Sequence, residues 1–155
     1  MMVIRALVKD DVDQVLNFLL AKNEVAWSSK ALTGALEGML EGSYLASVGV
    51  DESTSQVVSY AVASYAFDQA DVQNVVVDQS FRGRGFGRQL LQGLIENLVN
   101  RQVTTVFLEV RQSNQVAISL YQSMGFECIQ KRRDYYPGVD GVREDALVFS
   151  LRCLV

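Results

Sequence analysis

Val75-Val76-Val77-Asp78-Gln79-Ser80-Phe81-Arg82-Gly83-Arg84-Gly85-Phe86-Gly87-Arg88 is the most informative run of this chain. Its three valines end an apolar segment that begins at Val72, as expected of a strand covered on both faces. A glycine-rich turn from Arg82 to Gly87 follows. Leu90, Leu91, Leu94, Ile95 and Leu98 then recur at helical intervals, which predicts a helix over Arg88–Asn100. A turn that feeds a helix in this way exposes successive backbone N–H groups at the positive end of the helix, a seat for an anion. Gly85 and Gly87 carry no side chain to hold a ligand off that backbone. Arg82, Arg84 and Arg88 add positive charge around the same spot, which suits a pyrophosphate. The glycine spacing and mid-chain position are not those of a Rossmann fingerprint, and no Lys-Ser/Thr pair follows as in a Walker loop.

Upstream, Val3–Val8 reads as a strand. Asp10 or Asp11 can cap a helix running to about Ala21, with Val12, Val15, Leu16 and Leu19 on one face. Ser28-Ser29 can open a second helix carrying Leu32, Leu36, Met39 and Leu40. Strands over Tyr44–Val50 and Val57–Tyr65 flank a turn-forming stretch from Asp51 to Gln56. Downstream, Thr104–Val110 is a strand, Ser113 or Asn114 starts a helix that stops at Gly125, and Phe126–Lys131 and Ala146–Leu151 close the fold. The order β-α-α-β-β-β-α-β-α-β-β predicts a mixed α/β domain over residues 1–155, its partly parallel central sheet flanked by helices.

The length of 155 residues suffices for one core without disulfides or metals. No apolar run approaches the roughly 18 residues of a membrane helix, and the N-terminus reaches charge too early for a secretory signal, so a cytoplasmic protein with no membrane partner is expected. The chain has no histidine, which excludes Ser-His-Asp and Cys-His catalysis and removes the commonest zinc ligand. Cys128 and Cys153 lack metal-ligand spacing, so two reduced, partly buried thiols and no metal are expected. The net charge of −4 disfavours direct nucleic-acid binding and tolerates a basic protein substrate.

Arg82-x-x-Gly85-x-Gly87 resembles the Q/R-x-x-G-x-G/A signature of the GNAT superfamily of N-acetyltransferases. The downstream run Asn114, Ala117, Leu120, Tyr121, Gly125 and Phe126 resembles the second GNAT signature, N-x-x-A-x-x-L-Y-x-x-x-G-F. Many GNAT members have proline where this chain has Gln79, a difference that alters the stiffness of the turn but leaves its donors in place. Leu108 to Asn114, Trp27-Ser28 and Arg132 to Pro137 narrow the resemblance to the bacterial ribosomal-protein alanine N-acetyltransferases, the RimI type; Asp140 to Asp145 carries one extra residue, Val142, against that type. The resemblance implies a GNAT fold and acetyl-CoA as cosubstrate. It places the pantetheine arm on the main chain of Val75, Val76 and Val77, the pyrophosphate on Gly83, Arg84, Gly85, Phe86, Gly87 and Arg88 with Arg82, and a further coenzyme contact on Asn114. It implies a protein N-terminus as acceptor, that of a small-subunit ribosomal protein beginning with alanine.

Aminolysis of a thioester needs an uncharged amine and a proton for the departing thiolate. Glu109 ends an otherwise apolar strand (Val106, Phe107, Leu108), where partial desolvation would make a carboxylate more basic. The resemblance makes it the base and makes Tyr121 both a coenzyme contact and the acid that protonates the thiolate; from the residues alone such a tyrosine is more often a core aromatic, and a helix cap is an equally good reading of Asn114. Trp27, Ser28, Tyr135 and Tyr136 are candidate walls of the acceptor site. With a pKa near 7.7–8.0, roughly a fifth of a peptide α-amine is neutral near pH 7.3, against under ~0.1% for a lysine amine at about 10.4. An α-amine therefore spares the enzyme roughly 3–4 kcal/mol of deprotonation. A lysine or small-molecule amine as acceptor, and a non-catalytic acyl-CoA sensor, remain the competing readings at this level.

Overall fold

The computed structural model describes residues 1–21, 29–138 and 141–153. Seven strands and four helices follow in the expected order: β1 (Met2–Ala6), α1 (Val12–Ala21), α2 (Ser29–Glu41), β2 (Tyr44–Asp51), β3 (Val57–Ala66), β4 (Gln69–Val77), α3 (Phe86–Val99), β5 (Thr105–Arg111), α4 (Gln115–Ser123), β6 (Glu127–Tyr136) and β7 (Glu144–Arg152). They form one sheet in the order β1-β2-β3-β4-β5-β7-β6. Only β4 and β5, joined by the crossover through α3, run parallel; every other neighbouring pair is antiparallel.

Alternation along the strands feeds a core on each face. Ala61, Val72, Val106, Leu108 and Val110 meet Leu90, Leu91, Leu94 and Leu98 of α3 on one side. Tyr60, Val62 and Val76 meet Val12, Val15 and Phe18 of α1 and Leu32 and Ala35 of α2 on the other. Val76 thus belongs to one core while Val75 and Val77, half-buried, pack against the other, as the triple valine suggested. One expectation fails on α2. Leu40 continues the apolar spacing but is 92% exposed, because the helix ends one residue later at Glu41 and has left the sheet by then. The thiols of Cys128 and Cys153 are both free, and Cys128 is exposed on the edge strand β6 rather than buried.

The β4–β5 ladder is short. It pairs Gln69–Val72 with Thr105–Leu108 and stops. At that point β4 takes a bulge: Ala63 of β3 faces Val72 and Val62 faces Asn74, leaving Gln73 as the extra residue. A bulge increases the twist of its strand and re-aims the residues past it. Beyond it, the β5-facing edge of β4 has no strand partner, and a wedge opens between residues 73–77 of β4 and 109–111 of β5.

Candidate active site

The wedge leads up β4 to the glycine-rich turn. Asp78 caps a single 3-10 turn over Gln79–Phe81 by accepting a hydrogen bond from the Ser80 N–H at 3.2 Å. Gly83 and Gly85 then take left-handed conformations at φ 77° and 78°, which carry the chain into α3 with Gly85 as N-cap. The helix begins at Phe86, two residues before the expected start, since the last glycine, Gly87, already adopts helical geometry. Gln89 makes the first helical bond, to the Gly85 carbonyl at 3.1 Å, so the amides of Gly83 to Arg88 have no backbone acceptor among the described residues. A Cβ on Gly87 would touch Val77 and Leu120 only at 3.7 and 3.8 Å, so the protein itself does not demand a glycine there. The Phe86 side chain is buried and stacks at 6.2 Å on Phe81; only its amide faces the turn.

The three arginines brace the turn as well as charging it. Arg82 Nε donates to the Val77 carbonyl at 3.3 Å, Arg84 lies over the Phe81 ring at 5.0 Å, and Arg88 donates to Ser123 Oγ. None forms a salt bridge among the described residues, and no acidic side chain occurs from Gln79 to Arg88. Free amides, a helix N-terminus and three uncompensated guanidinium groups fit a diphosphate.

On the other side of the wedge is a cleft of about 580 Å³. Val72 and Gln73 of β4 and Leu108 and Glu109 of β5, the residues at which the strands part, are in its wall. Glu109 is only partly covered, with its side chain 30% exposed and Oε1 3.4 Å from the Arg132 guanidinium. The desolvated carboxylate expected from the apolar strand is therefore an ion-paired one; its neighbours on the sheet face are supplied by β6, which sequence reading ended at Lys131. In the structure β6 runs on to Tyr136. It is broken by an irregularity between Arg132 and Tyr136, where Asp134 adopts φ 52° and the Arg143 guanidinium holds the Asp134 and Tyr135 carbonyls at 2.6 and 3.1 Å. This brings Tyr135 and Tyr136 to the cleft, edge to face at 5.1 Å. Arg132 lies over Tyr135 at 5.4 Å, and Arg111 over Tyr136 at 4.5 Å.

Tyr121 sits on α4 against Phe126 and Phe149, with centroids 5.9 and 6.4 Å away. Its hydroxyl donates to nothing among the described residues. Burial, with Tyr136 nearby, pushes its pKa up to about 12. Tyr136 is itself raised, by burial first and then by the Glu109 carboxylate, so it lies within electrostatic reach of both candidate catalytic groups. Asn114 is the N-cap of α4, its Oδ1 accepting from the Ala117 N–H at 3.2 Å. Trp27 and Ser28 lie outside the described residues. Sequence reading missed Asp71, Arg111 and Arg132. Asp71 also lines the cleft, and its only signal was an acid alternating with Ala70 and Val72. No group of three potential metal ligands occurs among the described residues.

The sequence model of the acetyltransferase (GNAT) family matches residues 12–126, most of the chain, including the glycine-rich turn, Glu109 and Tyr121. The chain belongs to the GNAT family. Among its GNAT relatives, the [ribosomal protein bS18]-alanine N-acetyltransferase of Haemophilus ducreyi is 33% identical over 96% of this chain and 98% of its own length. The Escherichia coli protein of the same name is 44% identical over 62% of this chain and 64% of its own length. The crystal structure of the E. coli ribosomal-protein-S18-alanine N-acetyltransferase superposes with a TM-score of 0.89 at 34% identity, covering 100% of this chain and 96% of that one. GNAT membership makes the protein an N-acetyltransferase that uses acetyl-CoA, which disfavours the sensor reading.

Proposed function

We propose that the protein acetylates the N-terminal α-amine of a protein, the N-terminal alanine of ribosomal protein bS18, acting as a single domain over residues 1–155 in the cytoplasm. The acceptor follows from the name and near-complete overlap of the H. ducreyi relative. One structural observation carries the chemistry: the wedge between β4 and β5 joins the amide turn of α3 to the cleft that holds Glu109.

When bound, acetyl-CoA supplies a thioester carbonyl for attack. The residues that fit it are the main chain of Val75 to Val77, the amides of Gly83 to Arg88, and the Arg82, Arg84 and Arg88 guanidinium groups. Glu109 removes a proton from the incoming ammonium, directly or through a water. Arg132 holds that carboxylate by its 3.4 Å contact. Tyr121 Oη keeps its proton across the neutral range, because burial pushes its pKa up to about 12, and is the donor to the departing sulfur. Tyr135 and Tyr136 wall the acceptor side and exclude water.

The test is mass spectrometry of small-subunit ribosomal proteins incubated with the enzyme and isotopically labelled acetyl-CoA. Label is expected on the N-terminal alanine of bS18. Label on lysine side chains with none on any α-amine would overturn the reading.

A further inference from the structure

The cleft that holds Glu109 does not end at that carboxylate. Past Ser64 and Asp71 it continues into a second hollow of about 380 Å³ over the β3–β4 hairpin. Tyr44, Ser64, Tyr65, Phe67, Asp68 and Asp71 are in its wall. Because Ser64 and Asp71 line both spaces, one groove runs from the base to the hairpin tip.

Charge along this groove is unbalanced at one place. Glu109 is matched by Arg132. Among the described residues the Asp71 carboxylate forms no salt bridge or hydrogen bond, and no lysine or arginine lines the second hollow. Partial burial, and then the Glu109 carboxylate, push the Asp71 pKa up, as befits a negative charge without a counter-ion. No described residue engages this side chain, which points away from the core that Ala70 and Val72 enter. The hairpin tip is also fixed: the Asp68 carbonyl accepts from the amides of Thr104 and Thr105 at 2.8 and 3.1 Å, while Phe67 stands 96% exposed at the rim.

We infer that this groove is the track of the acceptor peptide, and that Asp71 selects peptides with an arginine or lysine side chain two or three residues from the N-terminus. The inference rests on the reading that a peptide α-amine is acetylated beside Glu109. Asp71 is paired with Phe107, two residues before Glu109 on the same face of β5. Two rises along the strand and one strand spacing put the two Cα atoms roughly 8 Å apart. An extended peptide advances about 3.3 Å per residue, so its second or third residue lies over Asp71. A cation there gives Asp71 its missing partner, and the rings of Tyr44 and Phe67 supply faces for the stem and head of a long basic side chain.

The experiment compares kcat/KM for alanine-initiated peptides that carry arginine, or its neutral isostere citrulline, at positions two and three. Wild type is expected to prefer the arginine peptides by about five- to tenfold. Asp71→Asn is expected to erase that preference by slowing only the arginine peptides, and Asp71→Lys to favour glutamate there instead. Unchanged CoA affinity reports that both variants are folded. Equal rates for the two peptide sets in wild type, or equal slowing of both by Asp71→Asn, would overturn the inference while leaving the α-amine reading intact. If wild type turned over lysine side chains or small amines but no alanine peptide at all, the α-amine reading would fail, and the selection by Asp71 with it.

Discussion

At the residue scale the two proposed catalytic groups lie apart from the amide turn that fits the diphosphate. Glu109 lies at the mouth of the acceptor cleft and Tyr121 on α4, while the amide turn is built from the main chain of residues 83–88. Glu109→Gln and Tyr121→Phe should each lower kcat by about 10²–10⁴-fold, the usual range for one acid or base. Steady-state kinetics set beside calorimetric titration with CoA checks this; CoA affinity should stay within about threefold for Glu109→Gln. The pH dependence follows from the groups involved. A tyrosine with a raised pKa remains a donor at every pH below the raised value, here about 12. The rate should therefore climb as the acceptor α-amine loses its proton near 7.7–8.0 and show no alkaline fall from Tyr121 up to about pH 10. A rate profile on an alanine peptide measures both limbs, and an alkaline fall centred near pH 9 that vanishes in Tyr121→Phe would contradict the role. The sequence proposes these two residues because each sits in a motif with fixed spacing, and the structure puts Glu109 in the cleft wall and Tyr121 against Phe126 and Phe149. It does not propose Arg132 and Asp71, since their meaning depends on which strand of the sheet lies beside which.

At the element scale, periodicity located every helix and strand, and the misses fall where tertiary context rules. β6 runs five residues past its expected end because it pairs with β7 again at Tyr136, beyond the irregularity that follows Arg132, which no apolar alternation announces. β4 begins three residues earlier than expected, at Gln69, because the hairpin from β3 is tight. The start of α1 shows how a polar residue can be read for only half of its role. Asp11 was expected as a cap; it is buried, accepts two bonds from Arg5 at 2.7 and 2.8 Å and one from the Val8 N–H at 2.9 Å, and so ties β1 to the helix. Burial alone would raise its pKa, but the Arg5 and Val8 bonds outweigh it and the net shift is downward. Such a group stabilises the fold above the ordinary carboxylate pKa, and the contribution is lost as pH falls through the lowered folded value. Asp11→Ala should cost about 2 kcal/mol at pH 7, at the low end for a broken pair because Arg5 is half-exposed to solvent. The penalty should shrink below about pH 4. Urea unfolding of both proteins at pH 7 and pH 3 reads the difference.

At the scale of the whole molecule the sheet is two half-sheets, β1–β4 and β5–β7, joined by a ladder of only four residue pairs and bridged by α3. The order of the strands was inferable from the sequence only in part: the β4-α3-β5 unit announced the parallel pair, but nothing in it announced that the pair would part after Val72 and Leu108. That parting is a bulge, one extra residue at Gln73, and a bulge leaves no compositional mark. The shortest ladder of the sheet thus adjoins the site proposed for acetyl-CoA. A ligand that lies along the free edge of β4 and caps α3 replaces ladder bonds the fold forgoes, so binding should tighten the joint rather than merely occupy it. Mass action sets the size of the effect: at a hundredfold excess over Kd a ligand adds about 2.7 kcal/mol of stability. For a protein of this length that corresponds to a rise in Tm of roughly 5–10 °C. Thermal unfolding with and without CoA measures the total. Hydrogen exchange locates it, with slowing expected at residues 73–77 of β4, in the turn from Gly83 to Arg88 and at the end of β5, and little change in β1 or β2, whose pairing the wedge does not touch. Stabilisation spread evenly over all seven strands would mean that the joint is not where the ligand acts.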